Sequence, residues 1–238
     1  MPRHLLLRLE APLMAFGGET IDHFGIIRDF PALSMITGLF ANALGWRRED
    51  TDQHDRLQER LVIGARIERQ GRKFQDNQNA QLAKDDNGWT TSGSPEGRAG
   101  GAGTYDSPHR RFRDYYADLS MLVALRLNPA ADPPTLDDLA IALDHPARPI
   151  FIGRKPCLPS QRLFAGWQEG INILEVLQSV PLPNSVREGI RLQWPDGEGI
   201  LLGDRVSDIC DERHWRSGIH GGWRSVREGR LRAEETPA

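Results

Sequence analysis

Residues 70–108 limit the folds open to this chain. The stretch is long and polar, rich in Gly, Asn, Asp, Ser and Thr. It includes GSPEGRAGGAGTYDSP, which is close to low complexity. Such a segment has too little apolar surface to build a core, and a structureless loop of this size is uncommon inside a compact domain. The apolar runs on either side must therefore pack on each other while this stretch stands out from the body. The expectation is a projection, part of it hairpin, that orders on a partner.

The flanking runs read as alternating strands and helices. Residues 4–9, HLLLRL, fit a central strand, and residues 11–18, APLMAFGG, then leave the sheet. Gly17 and Gly18 allow close approach of the backbone to another group. In residues 30–45 the apolar positions Leu33, Ile36, Leu39, Phe40, Ala43 and Leu44 recur at helical spacing. Ser34 or Thr37 serves as a cap, and Gly45 as a stop. A helix start after a polar loop leaves free N–H groups that suit a phosphate; an ordinary capped core helix is the plainer reading. Residues 47–59 read as a solvated helix or loop, and residues 61–69, LVIGARIER, as a strand with one wet face. The cluster HRRFR at 109–113, with Arg110, Arg111 and Arg113, precedes an apolar strand over 117–127. It fits a clamp for a nucleic-acid backbone, or a solvated charge run.

Thr135 is a helix N-cap with Asp137 and Asp138 in the first turn, and Leu136, Leu139, Ala140 and Leu143 form the buried face. Residues 149–153, PIFIG, read as a strand running into Arg154 and Lys155. Strand, helix, strand, excursion, strand, helix, strand is the ferredoxin-like βαββαβ order, shared with RNA-recognition modules. The fold class is therefore α+β. A body over residues 1–160 carries the excursion at 70–108, and residues 161–238 form a smaller strand-rich unit. In that unit PDGEG at 195–199 joins 190–194 to 200–204 as a hairpin, and WRSGIHGGWRSVREGRL closes the chain, rich in arginine and carrying Trp215 and Trp223.

Charge and motif content narrow the function. A net charge of −3 excludes a uniformly basic nucleic-acid binder but leaves room for a local basic groove. Of the 30 basic residues only Lys73, Lys84 and Lys155 are lysines. Arginine forks onto phosphate and stacks on bases, although genome composition can also enrich it. Cys157 and Cys210 stand outside any CxxC spacing, which excludes a thiolate metal cage and argues against a disulfide framework. No apolar run approaches the ~20 residues of a membrane span. The short apolar start, broken by Arg8 and Glu10, does not fit a signal peptide, so a cytoplasmic protein with no membrane partner is expected. No Walker, GxGxxG, HExxH or GxSxG sequence occurs. The seven histidines are scattered, so no metal and no cofactor is expected. Metal-independent RNA cleavage, with His109 beside Arg113 or Lys155, is the alternative reading.

Four stretches in order, LLLRLEAPLMAFG, FPALSMITGLFANALGWRRED, RFRDYYADLSMLVAL and RPIFIGRKPCLPS, closely resemble the CasD family. This is the subunit of type I-E CRISPR Cascade complexes that holds the 5′ end of the guide RNA. The similarity covers roughly the first 165 residues. It implies a modified ferredoxin-like RAMP fold, akin to RNA-recognition modules, with a long thumb hairpin at 70–108. It also implies a non-catalytic subunit that hooks the 5′ handle of the CRISPR RNA, caps the backbone filament, and touches the backbone and large subunits, reaching target DNA only indirectly. Arg113 falls on an RNA-contacting position of the family, Arg154 and Lys155 on its basic pair, and Gly17 and Gly18 on its loop after the first strand. With Ser34, Arg110 and Arg111 these are the expected RNA-binding residues. The family's glutamine in that loop is Met14 here. Its P-T-(R/K)-S-G before the helix is Pro31-Ala32-Leu33-Ser34-Met35, which leaves Ser34 and backbone amides as the donors there.

Overall fold

Where both alternate faces of a run are apolar, the strand must lie between two layers. A computed structural model of the chain describes residues 1–21, 23–81, 88–89, 95–96, 109–183 and 189–231. The strands are β1 (Arg3–Glu10), β2 (Leu13–Met14), β3 (Gly17–Ile21), β4 (Phe24–Ile27), β5 (Leu61–Arg69), β6 (Arg72–Ala80), β7 (Gly88–Trp89), β8 (Pro95–Glu96), β9 (His109–Ala117), β10 (Ser120–Leu127), β11 (Phe164–Glu169), β12 (Ile190–Pro195), β13 (Arg205–Cys210), β14 (Arg213–His214), β15 (Ile219–His220) and β16 (Trp223–Leu231). The helices are α1 (Leu33–Ala43), α2 (Thr51–Arg60), α3 (Leu136–Asp144) and α4 (Ile173–Ser179). The architecture is mixed and strand-rich. No helix among the described residues is long and apolar enough to cross a membrane.

The main sheet has seven strands in the order β11-β1-β10-β5-β12-β16-β13, and each neighbouring pair is antiparallel. Leu5, Leu7 and Leu9 of β1, Ile63, Ala65 and Ile67 of β5, and Met121, Val123 and Leu125 of β10 face a core shared with α1 and α3. The intervening Leu6, Leu122 and Ala124 face a second core built on Ile173, Leu174, Val176 and Leu177 of α4. Period-two alternation thus fills both faces. A second sheet, β2-β9-β4-β3, carries β6 along the other side of β9. β6 and β9 pair without a break from Arg72↔Ala117 to Ala80↔His109. They root the projection read at 70–108, whose outer part, apart from the short β7–β8 pair, lies outside the described residues.

Helix ends obey their local chemistry. At α3 Thr135 Oγ1 accepts from Asp138 N at 3.3 Å, and Asp138 Oδ2 accepts from Thr135 N at 2.8 Å, a complete capping box. Gly45 (φ +81°) ends α1, with Trp46 N donating to Ala41 O and Gly45 N to Asn42 O, the Schellman pattern. α4 is braced at both ends. Glu198 accepts from Ile173 N at 3.0 Å at its start. At its far end the fully buried Arg66 donates to the carbonyls of Leu177 and of Val180, the latter at 2.8 Å. Arg66 also holds Glu68 at 2.6 Å. Burial pulls the Arg66 pKa below its ordinary value, and Glu68 only partly offsets this.

Four expectations change. β5 has no wet face: Arg66 and Glu68 point under α4, which the tail of the chain supplies. Residues 149–153 form no strand; Ile152 N bonds to Cys157 O at 2.7 Å in a tight loop, and β11 takes the place beside β1. β12 does not pair with residues 200–204. Trp194 Nε1 closes on Gly199 O and Asp204 closes on Leu201 N, so β16 pairs with β12 instead. HRRFR precedes the apolar strand, β10, but is itself strand, the first five residues of β9.

Replacing Arg66 with Met leaves Glu68 buried and strips the α4 carbonyls of their donor. We expect a loss of about 3–5 kcal/mol in urea unfolding.

Candidate nucleic-acid interface

The loop that carries Arg154 exists because residue 153 lacks a side chain. Gly153 has φ +89°, and a Cβ there would stand 1.7 Å from the carbonyl oxygen of Ala15. That approach, with Ala15 N donating to Ile152 O at 3.3 Å, lays the loop on the chain leaving β2. Arg154 is thereby aimed across β9 and β4. Its Nη1 donates to Asp114 O at 2.9 Å and its Nη2 to Gly25 O at 3.0 Å, with the guanidinium 4.8 Å from the Tyr115 ring centroid. Arg113 reaches the same place from β9, its Nη1 donating to Phe112 O at 3.2 Å and His23 O at 3.3 Å. Gly25, opposite Arg113 in the β4–β9 pairing, leaves room for both. A Cβ on it would lie 2.9 Å from Arg113 Cδ and 2.9 Å from Arg154 Nη2.

Alternation along β9 divides the remaining cations. Arg111 shares the Arg113 face, whereas Arg110 lies on the opposite face with Phe112. Arg110 and Lys155 are exposed. Phe112 stacks on Phe24 at 5.1 Å between centroids and 14° between planes, and Phe24 is 43% exposed. An exposed aromatic pair beside arginines is a surface on which an unpaired base can stack. Among the described residues, Arg110, Arg111, Arg113, Arg154 and Lys155 have no carboxylate partner. Arg111, Arg113 and Arg154 donate only to main-chain carbonyls.

The α1 start does not leave its amides free. The buried Asp211 accepts from Leu33 N through Oδ2 at 2.9 Å and from Ser34 N through its carbonyl at 3.0 Å. Arg224 neutralises the carboxylate with two bonds of 2.8 Å. The helix N-terminus is filled by the protein's own anion, and neither Ser34 nor Thr37 caps it. Ser34 nevertheless lines a groove with Gly17 and Arg154, while Gly18 sits under Ile26. The groove also takes Arg213, Trp215 and His220 from the β14–β15 hairpin. Sequence reasoning missed these three, although the basic, aromatic composition of the final stretch marked it out. Behind β9, Tyr116 donates to Asp29, which Arg191 also holds at 2.9 Å. Burial pushes the Asp29 pKa up, but the bonds from Tyr116 and Arg191 outweigh it, and the carboxyl lies below its usual range. Burial, then Asp29, raises the Tyr116 phenol.

The alternative catalytic reading turns on His109. The His109 side chain lies outside the described residues. No group of three potential metal ligands occurs among the described residues.

Comparison with known proteins follows the same line. The family described as CRISPR-associated protein (Cas_Cas5) matches residues 4–227. The CRISPR system Cascade subunit CasD of Escherichia coli (strain K12) is 28% identical over 166 residues, 70% of this chain and 71% of that protein. A chain of a solved CRISPR RNA-guided surveillance complex superposes with a TM-score of 0.73 at 23% identity, covering 96% of this chain and 90% of its own. A solved Cas protein gives 0.64, also at 23% identity, over 98% and 97%. At these identities the two structures establish the fold.

Gly153→Ala should displace the Arg154 loop and cost about 2 kcal/mol or more, read as a lower urea midpoint. Because the Asp29 pKa is depressed in the folded chain, its contribution is complete above the ordinary value of 3.8 and fades as pH falls through the lower folded value. Acid unfolding of Asp29→Asn should therefore show a weaker pH dependence in that window than the unaltered chain.

Proposed function

The chain belongs to the Cas5 family of CRISPR-associated proteins, and from that membership we propose that it is a non-catalytic Cascade subunit of the type I-E kind. In this reading it binds the 5′ handle of the CRISPR RNA and caps the backbone filament. One observation carries the reading: Arg113 and Arg154 converge over Gly25, Arg111 shares their face of β9, and none of the three has a carboxylate partner among the described residues; the partly exposed Phe24–Phe112 stack lies on the reverse face. Guanidinium groups held only by main-chain carbonyls suit the phosphates of a single strand, and the aromatic pair on the reverse face of β9 suits an unstacked base. Arg110 and Lys155 extend the positive surface, and Gly17 lets the strand pass close to the backbone, whereas the space at Gly18 is taken by Ile26.

The modified ferredoxin-like RAMP fold is supported by topology. Taken in chain order, β1, β5, β10 and β11 stand fourth-first-third-second across the sheet. α1 lies between the first two of them and α3 between the last two. The β6–β9 hairpin fits the thumb, and residues 161–238, whose β11, β12, β13 and β16 extend the main sheet, are the proposed smaller C-terminal unit. The backbone and large subunits are the expected neighbours, with target DNA reached through the guide. The cytoplasm is the place of work.

Arg113→Ala should weaken guide-RNA retention by the assembled particle and lower the salt slope of binding by about 0.7, one single-strand phosphate contact. The fold should persist, since Arg113 bonds only to nearby carbonyls. Filter binding across a salt series reads both effects. Unchanged affinity and slope, or cleavage of repeat RNA by this chain without metal, would overturn the proposal.

A further inference from the structure

We propose that the groove between α1, the Arg154 loop and the β14–β15 hairpin holds one nucleotide splayed out of the RNA strand, its phosphate between Arg154 and Arg213. This deepens the handle-binding reading and rests on it. The cavity measures about 320 Å³, at the small end of ligand pockets. That volume is enough for a single nucleotide.

Charge sets this cavity apart. Among the described residues its lining contains Arg154, Arg213 and His220 and no carboxylate. The larger cavity beside α3, about 640 Å³, includes Asp138, and the one beneath β13, about 330 Å³, includes Asp29, Asp211 and Glu228. Arg213 has no ion pair among the described residues, and its Nε is buried without a partner. It is nonetheless held in place. Its guanidinium lies over the Trp215 ring at 5.1 Å, and Trp215 is fixed by His54 at 4.5 Å between centroids and by Gln58 through Nε1 at 3.2 Å. Gln58 also exchanges two bonds with the Arg213 backbone, each 3.1 Å, as a strand partner would. A cation oriented in advance, stripped of part of its hydration and left unpaired is arranged for an incoming anion. The His220 pKa is lowered by burial first and then by the charges of Arg213 and Arg28.

The other half of the groove is apolar. Met35, Leu39 and Phe151 form a surface suited to the flat face of a base. Arg154 stands at the junction, lining the groove while sharing the space above Gly25 with Arg113. A strand lying along β9 can therefore turn one nucleotide inward without leaving the arginines.

The test uses the assembled particle with guide RNA carrying 4-thiouridine at successive handle positions, irradiated and mapped by peptide mass spectrometry. One position should crosslink to peptides holding Met35, Phe151 or residues 213–220, and its neighbours to β9. Arg213→Gln should abolish that one crosslink, keep those to β9, and lower affinity about tenfold. Arg213→Lys should fall between. Groove crosslinks absent or spread over all positions, or a groove filled by a partner's peptide, would overturn the inference while β9 crosslinks leave RNA binding standing. Loss of RNA crosslinks anywhere on this chain would instead remove the handle-binding reading. The map of the unaltered chain decides the matter even if Arg213→Gln does not fold.

Discussion

One buried carboxylate fixes where the last part of the chain lies. Asp211 binds the first amide of α1 and the guanidinium fork of Arg224 on β16, and it is only 3% exposed. A carboxylate at a helix N-terminus gains from the amide dipoles, and the arginine offsets the cost of burying it. Joining α1 to β16 also decides where residues 213–220 go. They fold back onto α1 and α2, with Trp215 against His54 and Gly38. The groove wall is thus set by an interaction that reaches across most of the sequence.

Arginine serves two purposes in this molecule. Arg227 holds Asp196 and Asp204, Arg191 holds Asp29 and Glu228, and Arg66 holds Glu68. These pairs cancel charge and tie the sheet's layers and edges together. Among the described residues, the arginines of β9 and of the 153–157 loop are left without carboxylates. A net charge of −3 therefore conceals a local surface of the opposite sign.

What could be read from the sequence was what is decided locally. Helical periodicity and caps placed α1 and α3, and Thr135 and Gly45 act as their chemistry dictates. Contacts between distant segments were not legible. Arg66 and Glu68 look like a solvent face because nothing near them announces α4, more than a hundred residues later. The run PIFIG looks like a strand because its pattern is apolar, but Gly153 turns left-handed against Ala15 and removes it from the sheet. Arg110 and Arg111 are adjacent in sequence yet face opposite ways, as period two requires. Arg213, Trp215 and His220 carried the right composition, but no local signal names the helix they dock on.

The missing side chain at Gly25 has a thermodynamic consequence. It lets two guanidinium groups share one point of backbone, like charges held side by side by the carbonyls of His23, Gly25, Phe112 and Asp114. A polyanion laid across that point offsets them as it binds. If the proposed RNA binds there, loading and folding are linked equilibria: the occupied chain would be the more resistant to unfolding, and its margin would shrink as added electrolyte screens both effects.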